Sequence, residues 1–213
     1  MKKPQKRSAG LSRRVSFPED EQRLPWLSLL LDAYAIADTG VAVAIRNEEK
    51  RRKTHLACGK GCGTCCSQQK DLPVFPHELT GITWYVSEKL PQAVREKVKE
   101  HLASHTPASP CPFLIDGSCS IHPLRPVGCR QFNVFAAACA PEEDPYFTRR
   151  NDVLTPIPDY TDRAFAAVAA LYGLERERDL DKVVRQIKAK IMNLQEQDWK
   201  ELVELLNTKE IRK

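Results

Sequence analysis

Apolar positions recur with a helical period along most of the chain. From Leu24 to about Lys53 a hydrophobic run carries Pro25 in its first turn and ends in Arg46, Arg51, Arg52 and Lys53, the signature of one long helix. Gly40 is the point at which it would bend or split. Asp32, Asp38 and Thr39 interrupt the run, so as a membrane span it would place two carboxylates in hydrocarbon, and it is read as a core helix. A second helix is predicted to start at Pro76-His77-Glu78, with Leu79, Ile82, Tyr85 and Val86 on its apolar face, and a third covers Gln92 to Ser104 through Val94, Val98 and Leu102. Near the C-terminus, Thr161 to Leu174 presents Phe165, Val168 and Leu171. Leu180 to Leu194 repeats at i, i+3, i+4 and i+7, and Asp198 to Leu206 presents Trp199, Leu202 and Val203.

The middle of the chain breaks this pattern. Five prolines between Thr106 and Pro126 exclude a long regular element and predict a fixed loop with a hairpin turning at Asp116-Gly117. A short helix is expected over Gln131 to Ala140, followed by a loop to Pro158. No internal repeat, no βαβ alternation and no phosphate-binding glycine fingerprint is present. The expected fold is mainly α, a helical protein with an irregular, cysteine-rich metal-binding centre. It divides into a basic flexible tail (1–23), an N-terminal helix (24–57), a cysteine-cluster domain (58–140) and a C-terminal helical extension of the same fold (141–213).

Composition changes this picture little and charge changes it locally. Apolar residues make up 42% and charged residues 29% of 213, typical of a folded chain. The net charge of +5 lies in the first 18 residues, where Lys2, Lys3, Lys6, Arg7, Arg13 and Arg14 meet no acid, so the body is close to neutral. Such a tail is expected to be solvated, and it is the one place where nucleic acid would bind. The first 23 residues lack an apolar stretch of signal length, which makes the cytoplasm the expected location and reduced thiols the expected state.

The candidate chemistry is sulfur. All eight cysteines lie between residues 58 and 139, and both flanks have none. Cys62-Gly-Thr-Cys65 is a spacing at which one turn of backbone presents two thiolates to one metal, with Cys58 and Cys66 on either side. Gly59, Gly61 and Gly63 let the backbone approach the sulfurs, whose N–H groups would hold the thiolates. A thioredoxin-type pair would need a βαβ setting and would leave the other cysteines unexplained. Cys111, Cys119 and Cys129 follow on the proline-rich loop, and Lys60, Arg125 and Arg130 can offset the charge of several thiolates.

The residues Gly61-Cys62-Gly63-Thr64-Cys65-Cys66, Cys111-Pro112-Phe113-Leu114, Gly117-Ser118-Cys119-Ser120-Ile121-His122 and Arg125-Pro126 with Cys129-Arg130 resemble the YkgJ-type cysteine-cluster family, the CxxCxxCC zinc- or iron-chelating domain. The resemblance covers roughly residues 58 to 139. It implies a cysteine-ligated metal, zinc or iron and alternatively an iron–sulfur cluster, held by Cys58, Cys62, Cys65, Cys66, Cys111, Cys119 and Cys129, with Cys139 as the eighth ligand. Three residues, rather than the two of the family pattern, separate Cys58 from Cys62. Eight thiols suit two four-cysteine sites, and the adjacent Cys65 and Cys66 are expected to diverge toward different metals.

Other candidates have plainer readings. His122 is a packing residue before it is a ligand, and His55, His77, His101 and His105 are surface or helix-end residues. Asp71 and Glu78 favour helix starts, and Trp26, Trp84 and Trp199 belong to the core. No Ser/His/Asp set or paired carboxylates emerge. The leading expectation is therefore a metal-binding protein with no reaction assigned; an iron–sulfur enzyme and a zinc module contacting nucleic acid are the rivals.

Overall fold

The structure is a computed structural model, which describes residues 14–59 and 61–211, with side chains through residue 208. It is mainly α. Helix α1 (Pro18–Arg23) leads into α2 (Pro25–Arg52), each opened by a proline whose fixed φ suits the first helical turn. The basic positions from Lys2 to Arg13 lie outside the described residues, but Arg14 is committed to Glu21 and Asp32, and Phe17 packs edge-on against Trp84. The flexible stretch expected as far as residue 23 is thus folded from residue 14 onward.

Helix α2 runs unbroken for 28 residues. Gly40 neither bends nor splits it: a Cβ there would stand 2.4 Å from Cβ of Tyr160, so the glycine lets α8 (Pro158–Ala167) approach. By length and composition alone α2 could cross a membrane. Its Leu27, Leu30, Leu31, Tyr34 and Ala37 are buried, however, in a core shared with Phe75, Trp84, Phe165, Val168 and the Val183, Val184 and Ile187 stripe of α9 (Leu180–Lys188). A second core joins Ile82 and Val86 of α4 (Pro76–Glu88), Val98 and Leu102 of α5 (Gln92–Ala103) and Trp199, Leu202 and Leu206 of α10 (Lys200–Ile211) to Phe113, Ile115, Ile121 and Cys111. The cysteine-bearing loops therefore sit on one of the two cores, with α4 between both.

Two short sheets clamp the loops. β1 (Pro73–Val74) pairs antiparallel with β4 (Met192–Asn193), and β2 (Leu114–Ile115) with β3 (Ser118–Cys119) around the expected Asp116-Gly117 turn, where both residues take positive φ. The β1–β4 pair ends the helix expected over Leu180 to Leu194 at Lys188. Asn193 accepts the Leu72 and Gln195 N–H groups and donates to the Lys70 carbonyl, bonds a continuing helix could not make. The helix expected over Thr161 to Leu174 likewise ends at Ala167, followed by a 3₁₀ turn (Ala169–Tyr172) closed by Gly173 at φ 68°.

A further correction falls next to the cysteines. No helix covers Gln131 to Ala140; α6 (Val127–Gln131) stops where that helix was expected to start. Val134 bridges Val153 and Phe135 bridges Leu56, and Arg149 donates to the carbonyls of Phe135 and Ala137, which removes them from any helical ladder.

Candidate metal centre

The short helix α3 (Thr64–Gln68) places Cys65 and Cys66 inside the molecule, while Cys62 in the preceding turn stays exposed. Gly63 accepts the N–H groups of Cys66 and Ser67 on its carbonyl, at 2.9 and 3.2 Å, and starts this helix. The Cys66 carbonyl in turn accepts the Cys111 N–H at 2.7 Å, which fastens the first cysteine segment to the proline-rich loop. The β2–β3 hairpin then brings Cys119 back opposite Leu114, so Cys111 and Cys119 face the same helix. All eight cysteines are free thiols.

The sulfurs act on one another. The neighbouring Cys111, Cys119 and Cys65 sulfurs, together with burial, push the Cys66 thiol far above its ordinary value. Its neighbours move the other way. Cys65 is drawn down to about 7, chiefly by Cys66 and against desolvation. Cys119 is lowered by the same neighbour, helped by the Ile121 N–H. Cys129, on α6, packs against this core, and its thiol is raised by burial and by the nearby Cys111, Cys65 and Cys119. The adjacent Cys65 and Cys66, expected to diverge toward different metals, shift one another in opposite directions.

The other three sulfurs form a more open group. Cys58 accepts the Val134 N–H at 3.3 Å and is raised by burial and by Cys62 and Cys65; Cys139 is raised by burial and by Cys58. Among the described residues, no three Cys, His, Asp or Glu side chains stand in the arrangement of a ready coordination shell. Metal binding would displace the thiol protons.

The same stretch of chain matches a known family model, CxxCxxCC, described as "Putative zinc- or iron-chelating domain". Residues 57–153 are similar to that CxxCxxCC domain. The match takes in all eight cysteines and just under half of the chain; no curated protein and no solved structure matches it.

Two observations show that the residues of the matched stretch suit a chelated cation. The donor set is soft sulfur, at least four atoms of it drawn together from two segments of chain, which is the chemistry zinc and iron take. Arg125 stands beside it, and its charge favours the thiolates of Cys65, Cys119 and Cys58. The buried Nε of Arg125 finds no hydrogen-bond partner among the described residues, so the guanidinium is poised for anionic sulfur. Lys60, expected to share this role, lies outside the described residues. Arg130 does something else: it donates to the carbonyls of Arg125 and Pro123 and to Asp38 at 2.7 Å, with its guanidinium 3.9 Å over the Tyr34 ring.

His122 is exposed on a 3₁₀ turn, and its imidazole is held toward the neutral form by partial desolvation and by Arg125 and Arg130. His77 is the helix-end residue expected, second in α4, but it is buried rather than on the surface. It is 7% exposed, bonded to the Tyr172 hydroxyl at 2.6 Å, and burial lowers it to about 4. Glu78 does start α4 as expected, accepting the Phe75 N–H, but its other oxygen reaches Val127 on α6. That second bond was not foreseen. The one sequence signal for the polar network beneath the cysteines is Tyr34 and Asp38, one helical turn apart on an otherwise apolar α2.

Gly63 tests how tightly the two cysteine segments meet. A Cβ there would lie 2.4 Å from the Gly117 carbonyl oxygen and 2.8 Å from Leu114, and the first of these is backbone that cannot swing aside. Gly63→Ala is expected to destabilise the protein by about 1–3 kcal/mol, as overpacking does, and to weaken zinc binding with it. Urea unfolding and zinc titration of the purified variant measure both.

Proposed function

We propose that the matched stretch binds zinc or iron through cysteine thiolates at two levels. Cys65, Cys66, Cys111 and Cys119, with Cys129 beside them, form an inner, closed site; Cys58, Cys62 and Cys139 form an outer one with a free position. The observation that carries this reading is the junction of the two cysteine segments, where the Cys66 carbonyl accepts the Cys111 N–H at 2.7 Å and the β2–β3 hairpin returns Cys119 to the same place. A four-thiolate shell is how structural zinc is closed off, whereas three protein ligands leave room for exchange or for an external ligand. A cleft of about 320 Å³ lined by His101, His105 and Ser109 ends at Cys111 and offers a route inward.

A cytoplasmic setting belongs to this proposal, since it keeps the thiols reduced. The packing of α2 against α8 and α9 supports a core helix, and no reaction is assigned. Elemental analysis for zinc, iron and sulfide after anaerobic purification tests the reading. Stoichiometric metal lost on Cys66→Ser supports it, with absorbance near 400 nm and acid-labile sulfide separating an iron–sulfur cluster from zinc. A folded protein that takes up neither metal overturns it.

A further inference from the structure

We propose that Glu78 is a positioning residue of the metal site: its carboxylate ties the backbone of α6 to the start of α4 and thereby sets where the Cys129 sulfur stands among Cys65, Cys111 and Cys119. The proposal rests on the reading of these cysteines as ligands. Glu78 is fully buried, and each of its oxygens is used on a different piece of backbone. Oε2 accepts the Phe75 N–H at 3.0 Å, the usual duty of a glutamate in a first helical turn. Oε1 accepts the Val127 N–H at 2.7 Å, a bond that capping α4 does not require.

Helix α6 needs such a fixture. It is five residues long, too short to hold itself by its own ladder, and Cys129 is its third residue. Its position is fixed by contacts from three sides. Glu78 takes its first N–H. Gly128 lies so close to Pro73 that a Cβ would stand 2.5 Å from the proline Cγ. Arg130 bonds the carbonyls of Pro123 and Arg125 in the segment leading into α6 and pairs with Asp38 of α2. The Tyr34 ring lies under that guanidinium and its hydroxyl donates to the Leu124 carbonyl at 3.4 Å, while both Tyr34 and Arg130 favour the Glu78 carboxylate, so carboxylate and arginine belong to one buried network. An apolar side chain at position 78 would leave the Val127 N–H buried and unpaired, and α6 free to shift.

Cobalt(II) provides the test, because its thiolate charge-transfer and d–d bands report ligand number and geometry apart from stability. Glu78→Gln keeps the shape and one acceptor but turns an NH₂ group toward the second N–H. The expected result is shifted cobalt bands and an affinity about tenfold weaker, as when partners that orient a ligand are altered. In a Cys129→Ser background the same substitution should change neither bands nor affinity further. Tyr34→Phe, which removes the hydroxyl that favours the carboxylate and keeps the ring under Arg130, should shift the bands in the same direction by less, and it serves if Glu78→Gln fails to fold. Unchanged bands in both variants, or a Glu78→Gln effect of equal size with and without Cys129, overturn the proposal while leaving the metal site standing. Absence of cobalt bands in the wild-type protein removes the metal site itself, and this proposal with it.

Discussion

Cys66→Ser is expected to weaken zinc binding about a hundredfold, while Cys139→Ser changes it little. Structural zinc in a shell of four thiolates is bound by about 10–16 kcal/mol, so one ligand contributes about 3 kcal/mol, or two factors of ten. Cys66 is the member of the set whose thiol is raised by three others, from its own segment and from the proline-rich loop. Serine keeps the size and an O–H donor but offers zinc a hard oxygen with little tendency to ionise, so the soft thiolate ligand is lost. Cys139 is coupled to Cys58 and Cys62 rather than to the inner thiols. Zinc competition with a chromophoric chelator, on both variants and the wild-type protein, reads the order directly. Equal affinity for wild type and Cys66→Ser, or a larger loss at Cys139, contradicts the inner site.

The helices that bury a stripe were legible in the sequence, because helical period and burial share one cause. α2, α4, α5 and α10 lie close to where their apolar positions and prolines put them. The errors have a common origin in long-range backbone pairing. Met192-Asn193 continues the apolar period of α9, yet it is drawn into a strand by residues near position 73, about 120 positions earlier. Phe135 and Ala137 look helical locally, but their carbonyls are taken by Arg149.

The site divides in the same way. Cysteine spacing reveals the sulfurs, but the proposed sites separate Cys62 from Cys65 although their spacing suits one metal. That proposed grouping depends on where the β2–β3 hairpin lands and could not be read from spacing. Arg125 and Arg130 look alike in the sequence, and only their surroundings separate a charge facing thiols from one that braces a loop. Asp38, which argues against a membrane span, also signals a cation waiting inside the fold.

The neighbouring His77 and Glu78 give a pH prediction with two opposite signs. Burial raises Glu78 from 4.5 to about 7, so the folded state holds a proton that the unfolded chain gives up; the resulting stability is complete below 4.5 and is lost as pH rises toward 7. Burial lowers His77 from 6.5 to about 4, so its contribution is complete above 6.5 and is lost as pH falls toward 4. Each amounts to about 3 kcal/mol. Between pH 4.5 and 6.5 they nearly cancel. His122, also held toward the neutral form, adds a further rise with pH below 6.5. The metal-free wild-type protein is therefore expected to show a urea midpoint that rises only gently across that window, which lies below the Cys65 value of about 7 and above the lowered acids Glu21, Asp152 and Glu177. Glu78→Gln should uncover the histidine, with a midpoint that rises with pH, and His77→Gln should uncover the glutamate, with a midpoint that falls. Parallel curves for the two variants would mean that these side chains do not hold the charge states their burial dictates. Curves of opposite slope would show that a carboxylic acid stays protonated near neutrality beneath the cysteines.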